Sequence, residues 1–168
     1  MDSKLRPTII LGVDPGYERM GLAILARAQS GDKLVASLCA RTPKELSLPE
    51  RIGMLAEVVR SLIAEHSPDS LAVERIFWNQ STSTALGVAE VRGMLATLAQ
   101  EYGLAIFEYS PQQVKVAITG YGASDKKAVA FMIPKLVILP ERKRLDDELD
   151  AIAIGLTCLA STRSYPQE

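Results

Sequence analysis

Thiol and imidazole are scarce in this sequence, which has two cysteines and one histidine among 168 residues. Cys39 and Cys158 lie far apart and form no C-x-x-C pair. With His66 alone they build neither a disulfide framework nor a structural zinc site. Both are expected to be buried, reduced core thiols. Long apolar runs are also missing, since none approaches the ~20 residues that a bilayer span needs. The opening MDSKLRPTII has no long apolar stretch and no small-residue cleavage site. No secretory leader is therefore expected, and the protein reads as soluble and cytoplasmic. Internal repeats, low-complexity tracts and linkers are lacking as well.

Apolar content, by contrast, is high. Hydrophobic residues make up 48% of the chain, too many for a disordered protein. The length suits a single domain over residues 1–168, burying roughly 70% of the surface of the unfolded chain. Net charge is −1, but it is unevenly spread. Residues 111–145 carry Lys115, Lys126, Lys127, Lys135, Arg142, Lys143 and Arg144 against Asp125 and Glu141, a balance of +5. Residues 146–168 carry Asp146, Asp147, Glu148, Asp150 and Glu168 against Arg163, a balance of −4. A polyanion-binding surface beside a cation site has this form. So does an ordinary solvated surface with local charge fluctuation.

Residues 8–13 (TIILGV) form a short β-branched run stopped by a turn at Asp14, Pro15 and Gly16. Residues 20–25 and 34–40 are further strands with a turn at residues 30–32, which makes a three-stranded meander. Ile52, Leu55, Ala56, Val59, Leu62 and Ile63 recur at helical spacing and predict an amphipathic helix over residues 49–65. His66 follows at its C-terminus, where a cation is favoured, and has no catalytic part. Residues 70–74 (SLAVE) are the fourth strand, 82–102 a second helix stopped by Gly103, and 104–109 the fifth strand. Helices follow over residues 111–119, opened by Ser110 and Pro111, over 124–133, which Pro134 ends or kinks, and over 146–161. This order predicts an α/β fold. Its mixed five-stranded sheet, an antiparallel meander plus two parallel strands, is flanked by helices. Ligands are expected at the carboxyl ends of the strands.

Asp14 and Glu74 end the first and fourth strands. Asp147 and Asp150, three residues apart, face one side of the last helix. Convergent carboxylates raise one another's pKa and cost stability unless cations sit among them. Hard oxygen donors suit Mg²⁺ or Mn²⁺. Each acid also has an ordinary reading: a turn at Asp14, an ion pair of Glu74 with Arg75, a helix N-terminus favouring Asp147 and Asp150. The chemical reading requires the acid oxygens to meet in one pocket. It also requires that no lysine head already fills the gap between them.

Six stretches decide between these readings. They are residues 10–16 (ILGVDPG) followed by Gly21, 72–77 (AVERIF), 89–93 (AEVRG), 109–115 (YSPQQVK), 120–126 (GYGASDK) and 147–154 (DELDAIAI). Together they resemble the bacterial RuvC family of Holliday-junction resolvases, in motif order, spacing and length, over nearly the whole chain from Thr8 to Ser161. The resemblance implies an RNase H-like fold, a homodimer and Mg²⁺-dependent paired nicking of four-way DNA junctions. By position, Asp14, Glu74, Asp147 and Asp150 match the family's catalytic, metal-binding acids. Asp146 is a rival for the third of these. Lys115 and Lys126 match residues that bind junction phosphates, and Phe77 matches an aromatic that contacts an unstacked base. Two Mg²⁺ ions per site are implied, with Mn²⁺ as a substitute. Asp14 is the expected bridging ligand, because a central strand end is the most rigid support. The family also suggests docking of a RuvA–RuvB branch-migration complex.

The chain departs from the family in two places. Residues 79–84 are uncharged where family members often carry a lysine. Arg142, Lys143 and Arg144 are unusually basic and are expected to compensate. In the second helix Ala85, Gly87, Ala89, Gly93 and Ala96 allow close approach, either of a second subunit or of the chain's own sheet. Asp14-x-Gly16 also resembles the first phosphate loop of sugar kinases and actin-like ATPases, which need two such domains to enclose ATP. RuvX-type proteins, acting on ribosomal RNA precursors, share the RNase H-like core but match the Glu74 and Lys115 motifs poorly. A non-catalytic junction-binding module would not require all four acids.

Overall fold

The computed structural model describes residues 8–29, 31–75 and 82–162. Strands β1 (Ile9–Asp14), β2 (Arg19–Ala26), β3 (Lys33–Arg41), β4 (Ser70–Glu74) and β5 (Ala105–Tyr109) form one sheet in the order β3-β2-β1-β4-β5. Short turns make β1–β2 and β2–β3 antiparallel. Helix α1 (Leu48–His66) returns the chain to the free side of β1, and α2 (Thr82–Glu101) carries it on to β5. Both crossovers produce parallel pairs, β1–β4 and β4–β5. Helices α3 (Pro111–Thr119), α4 (Lys126–Leu136) and α5 (Asp146–Ser161) complete the RNase H-like α/β architecture expected from the sequence.

The period-2 alternation of the strands feeds two cores. Leu11, Val13, Met20, Leu22, Leu71 and Val73 pack with α1 and α2. Ile10, Ala23, Leu25 and Ala72 pack on the other side with α4 and α5. Asp14 and Glu74 continue this second series, so their side chains leave the sheet on the α5 side.

Helix α5 lies unusually close to β1 and β2. A Cβ at Gly12 would stand 2.4 Å from the Ala151 carbonyl oxygen, and one at Gly21 would stand 1.8 Å from the Asp147 carbonyl oxygen. Only hydrogen fits in either place. Ile152, Ile154 and Leu159 are buried in the same seam, each contributing ~1.5–3 kcal/mol. The acidic end of α5 is thereby pressed onto the strand ends.

Local signals fix most helix boundaries. Ser110 Oγ accepts from the Gln113 N–H at 3.1 Å, and the Gln113 side chain accepts from the Ser110 N–H at 2.8 Å. Gly103 adopts φ +68° just beyond α2. Helix α4 differs from expectation. Asp125 caps it through the Ala128 N–H at 2.8 Å, and it runs through Pro134 to Leu136. Proline deletes only its own N–H, and the Val137 N–H still reaches the Ile133 carbonyl at 3.1 Å. Cys158 is buried as expected, but Cys39 is only half-buried, because β3 is an edge strand. Among the described residues no helix is long and apolar enough to cross a membrane.

Candidate active site

A pocket of about 290 Å³ opens at the carboxyl ends of β1 and β4, lined by Asp14, Glu74, Asp150, Lys115 and Lys126. Parallel pairing brings the ends of β1 and β4 together. On α5, Asp150 and Ile154 lie one turn apart and face the same pocket. Pro111, Val114 and Lys115 of α3 close one wall, and Lys126 and Val129 of α4 close another.

Negative charge in this pocket exceeds what the chain itself balances. Burial raises the Asp14 pKa to about 7, and the charges of Asp150, Glu74 and Asp147 add to the rise while Lys126 opposes it. Glu74 is also raised, first by burial and then by Asp150, against Lys126 and Arg92. Lys126 Nζ donates to Asp150 Oδ2 at 2.8 Å. That bond lifts the lysine above its ordinary range, although burial pulls the other way. The lysine head therefore fills part of the gap. The charges of Asp150, Glu74 and Asp147 still add to the burial that raises Asp14, against the opposing Lys126.

Three of the four expected acids line the pocket. Asp147 does not. Its Oδ2 lies 3.5 Å from Arg19 Nε and 3.9 Å from Cys39 Sγ. Its charge still reaches Asp14, whereas that of the exposed Asp146 bears on Lys126. Among the described residues no three Asp, Glu, His or Cys side chains are arranged to hold a metal ion as they stand. The donor set nonetheless fits one. It is made of hard carboxylate oxygens with surplus negative charge, which a divalent cation would offset. Phe77, and residues 79–81 of the uncharged loop, lie outside the described residues.

Arg142 is committed elsewhere. It donates to Glu148 Oε2 at 2.6 Å and to the Ser37 carbonyl at 2.7 Å, tying the loop before α5 to β3. These bonds give Arg142 a part in the fold. In α2, Gly87 and Ala85 are buried against the chain's own body, with a Gly87 Cβ falling 2.7 Å from the Tyr17 ring. Ala89, Gly93 and Ala96 face outward. Sequence reasoning missed Arg19, beside Asp147, and Arg92, which donates to the Glu74 carbonyl and to the Glu108 carboxylate. Arg92 stood in view within the AEVRG run, but its partners come together only through the tertiary fold.

A family model described as Crossover junction endodeoxyribonuclease RuvC matches residues 10–158. The chain belongs to the RuvC family. It is 39% identical over 150 residues to the Crossover junction endodeoxyribonuclease RuvC of Desulfitobacterium hafniense, covering 88% of this chain and 90% of that one. Against the RuvC of Thermosipho melanesiensis it is 38% identical over 156 residues, covering 92% and 98% of the two chains. The structure of T. thermophilus RuvC in complex with Holliday junction substrate superposes with a TM-score of 0.83 at 30% identity, over 89% of this chain and 92% of that one.

Proposed function

We propose that this chain is an endodeoxyribonuclease that resolves four-way (Holliday) DNA junctions by paired symmetric nicks, in recombination and repair in the cytoplasm. The single observation that carries this reading is the pocket in which Asp14, Glu74 and Asp150 meet Lys115 and Lys126. It sets acids for cations beside lysines for phosphate, in a chain of the RuvC family.

Asp14, Glu74 and Asp150 would hold two Mg²⁺ ions, with Mn²⁺ able to replace them. Asp147 would join them as a ligand once released from Arg19. When bound, such ions supply an activated water and stabilise the leaving oxygen of a phosphodiester. Lys115 and Lys126 neutralise junction phosphates and release counterions, so affinity falls as salt rises. Phe77 stacks an unstacked base near the crossover, a contact worth ~1–3 kcal/mol. The functional unit is a C₂ homodimer of one-domain subunits, because two symmetric nicks need two acid clusters. The outer face of α2, with Ala89, Gly93 and Ala96, is the proposed contact. Docking of a RuvA–RuvB complex is part of the same reading.

The deciding assay compares synthetic four-way junctions, linear duplex and an RNA–DNA hybrid, each with Mg²⁺ and with chelator. Paired nicks in the junction alone, lost with chelator, are expected. Equal cutting of the linear duplex would refute junction selectivity.

A further inference from the structure

One guanidinium reaches the site from behind the sheet. Leu71 and Val73 pack with α1 and α2, so α2 covers the side of β4 opposite the pocket. From α2, Arg92 donates to the main-chain carbonyl of Glu74 and to the carboxylate of Glu108. The β1–β4 ladder ends at Val13 and Val73, so the Glu74 carbonyl lies past its last rung. A carbonyl there needs a donor from outside the sheet. On β5, Phe107 and Tyr109 pack towards α5, which turns Glu108 to the α2 side. Glu108 pairs in register with Val73 and Tyr109 with Glu74. Arg92 therefore bolts the two parallel strands together at the level of the acid. Its side chain is only 20% exposed, so water competes weakly for these bonds. Its charge also favours ionised Glu74.

We infer that Arg92 is a positioning residue for Glu74, clamping the acid's backbone against Glu108 and so setting the affinity of the pocket for a divalent cation. The inference rests on the reading of Asp14, Glu74 and Asp150 as cation ligands. Groups that orient metal ligands typically carry about 10–100-fold of the metal affinity.

Mn²⁺ binding by the full chain without DNA, followed by the electron paramagnetic resonance of the free ion, tests this. The proteins are wild type, Asp14→Asn, Arg92→Ala, Arg92→Lys and Glu108→Gln, each also followed by thermal unfolding. Wild type is expected to bind and Asp14→Asn to fail. Arg92→Ala is expected to bind about 10–100-fold more weakly. Arg92→Lys should recover part of the loss, because it keeps the charge and a donor while losing the fork. In junction cleavage, Arg92→Ala should raise the Mg²⁺ needed for half-maximal rate more than it lowers the rate at saturation. Wild-type Mn²⁺ affinity in folded Arg92→Ala overturns the inference and leaves the proposed function standing. Should that variant unfold, wild-type affinity in both Arg92→Lys and Glu108→Gln overturns it equally. Equal binding by wild type and Asp14→Asn instead overturns the cation site itself.

Discussion

Lys126 Nζ stands 2.8 Å from Asp150 Oδ2, joining α4 to the acid that α5 presents to the pocket. The same ammonium group is proposed to meet DNA. Phosphate and carboxylate thus compete for it. Lys126→Ala should weaken junction binding uniformly and lower the slope of log affinity against log salt by about one. Binding of Mn²⁺ without DNA should not weaken, since Asp150 loses a competing cation. Anisotropy titrations of a labelled junction over a salt series check the first expectation, and Mn²⁺ titration checks the second.

Asp14→Asn should abolish cleavage and leave junction binding largely intact. It should also change how metal-free stability depends on pH. Asp14 titrates at about 7 in the folded chain against 3.8 for an ordinary aspartate. The folded state therefore binds the proton more tightly than the unfolded state. The stability this confers is full below about pH 4 and is lost as pH rises through 7. Asparagine removes that dependence. Urea unfolding in chelator should show wild type losing stability between about pH 4 and 7, with the variant flatter and more stable at the upper end.

Gly21→Ala should cost about 1–3 kcal/mol, by overpacking, and most of the cleavage rate. Its Cβ would collide with the Asp147 carbonyl 1.8 Å away, and α5 would have to lift with both its acids. Gly53→Ala is the control. It lies inside α1 with nothing within 4 Å of its Cβ, and should stabilise the chain by about 0.5–1 kcal/mol. Urea unfolding of the pair and cleavage by each check this.

Glu148 is 5% exposed and is held by Arg142 and Ser37. Burial alone would raise its pKa, but the hydrogen bonds of Arg142 and Ser37 outweigh burial and lower it. Its contribution is therefore present above the ordinary glutamate pKa and is lost as pH falls through the lower folded value. Arg142→Ala should cost about 1–3 kcal/mol at neutral pH and bring acid unfolding to higher pH. Circular dichroism melts across an acid series measure both.

The strands were legible as apolar runs set off by turn residues, as residues 8–16 show. Asp14 and Glu74 were legible as strand-end acids, and the β1–β4 register puts them on one face. The committed partners were not. Arg19 with Asp147, Arg142 with Ser37 and Arg92 with Glu74 are pairings created by packing. No period or spacing encodes them. Pro134 misled because a proline one turn from a helix end removes little, and Cys39 because an edge strand exposes what a central one would bury.

Tyr17 follows closely after Asp14, and its ring is wedged beneath Gly87 of α2. Arg51 stacks on that ring 5.1 Å from its centroid, from α1. The turn carrying Asp14 is thus gripped by two helices on the far side of the sheet. The seat of α2 and the end of β1 that presents Asp14 are therefore held by one shared contact, the Tyr17 ring.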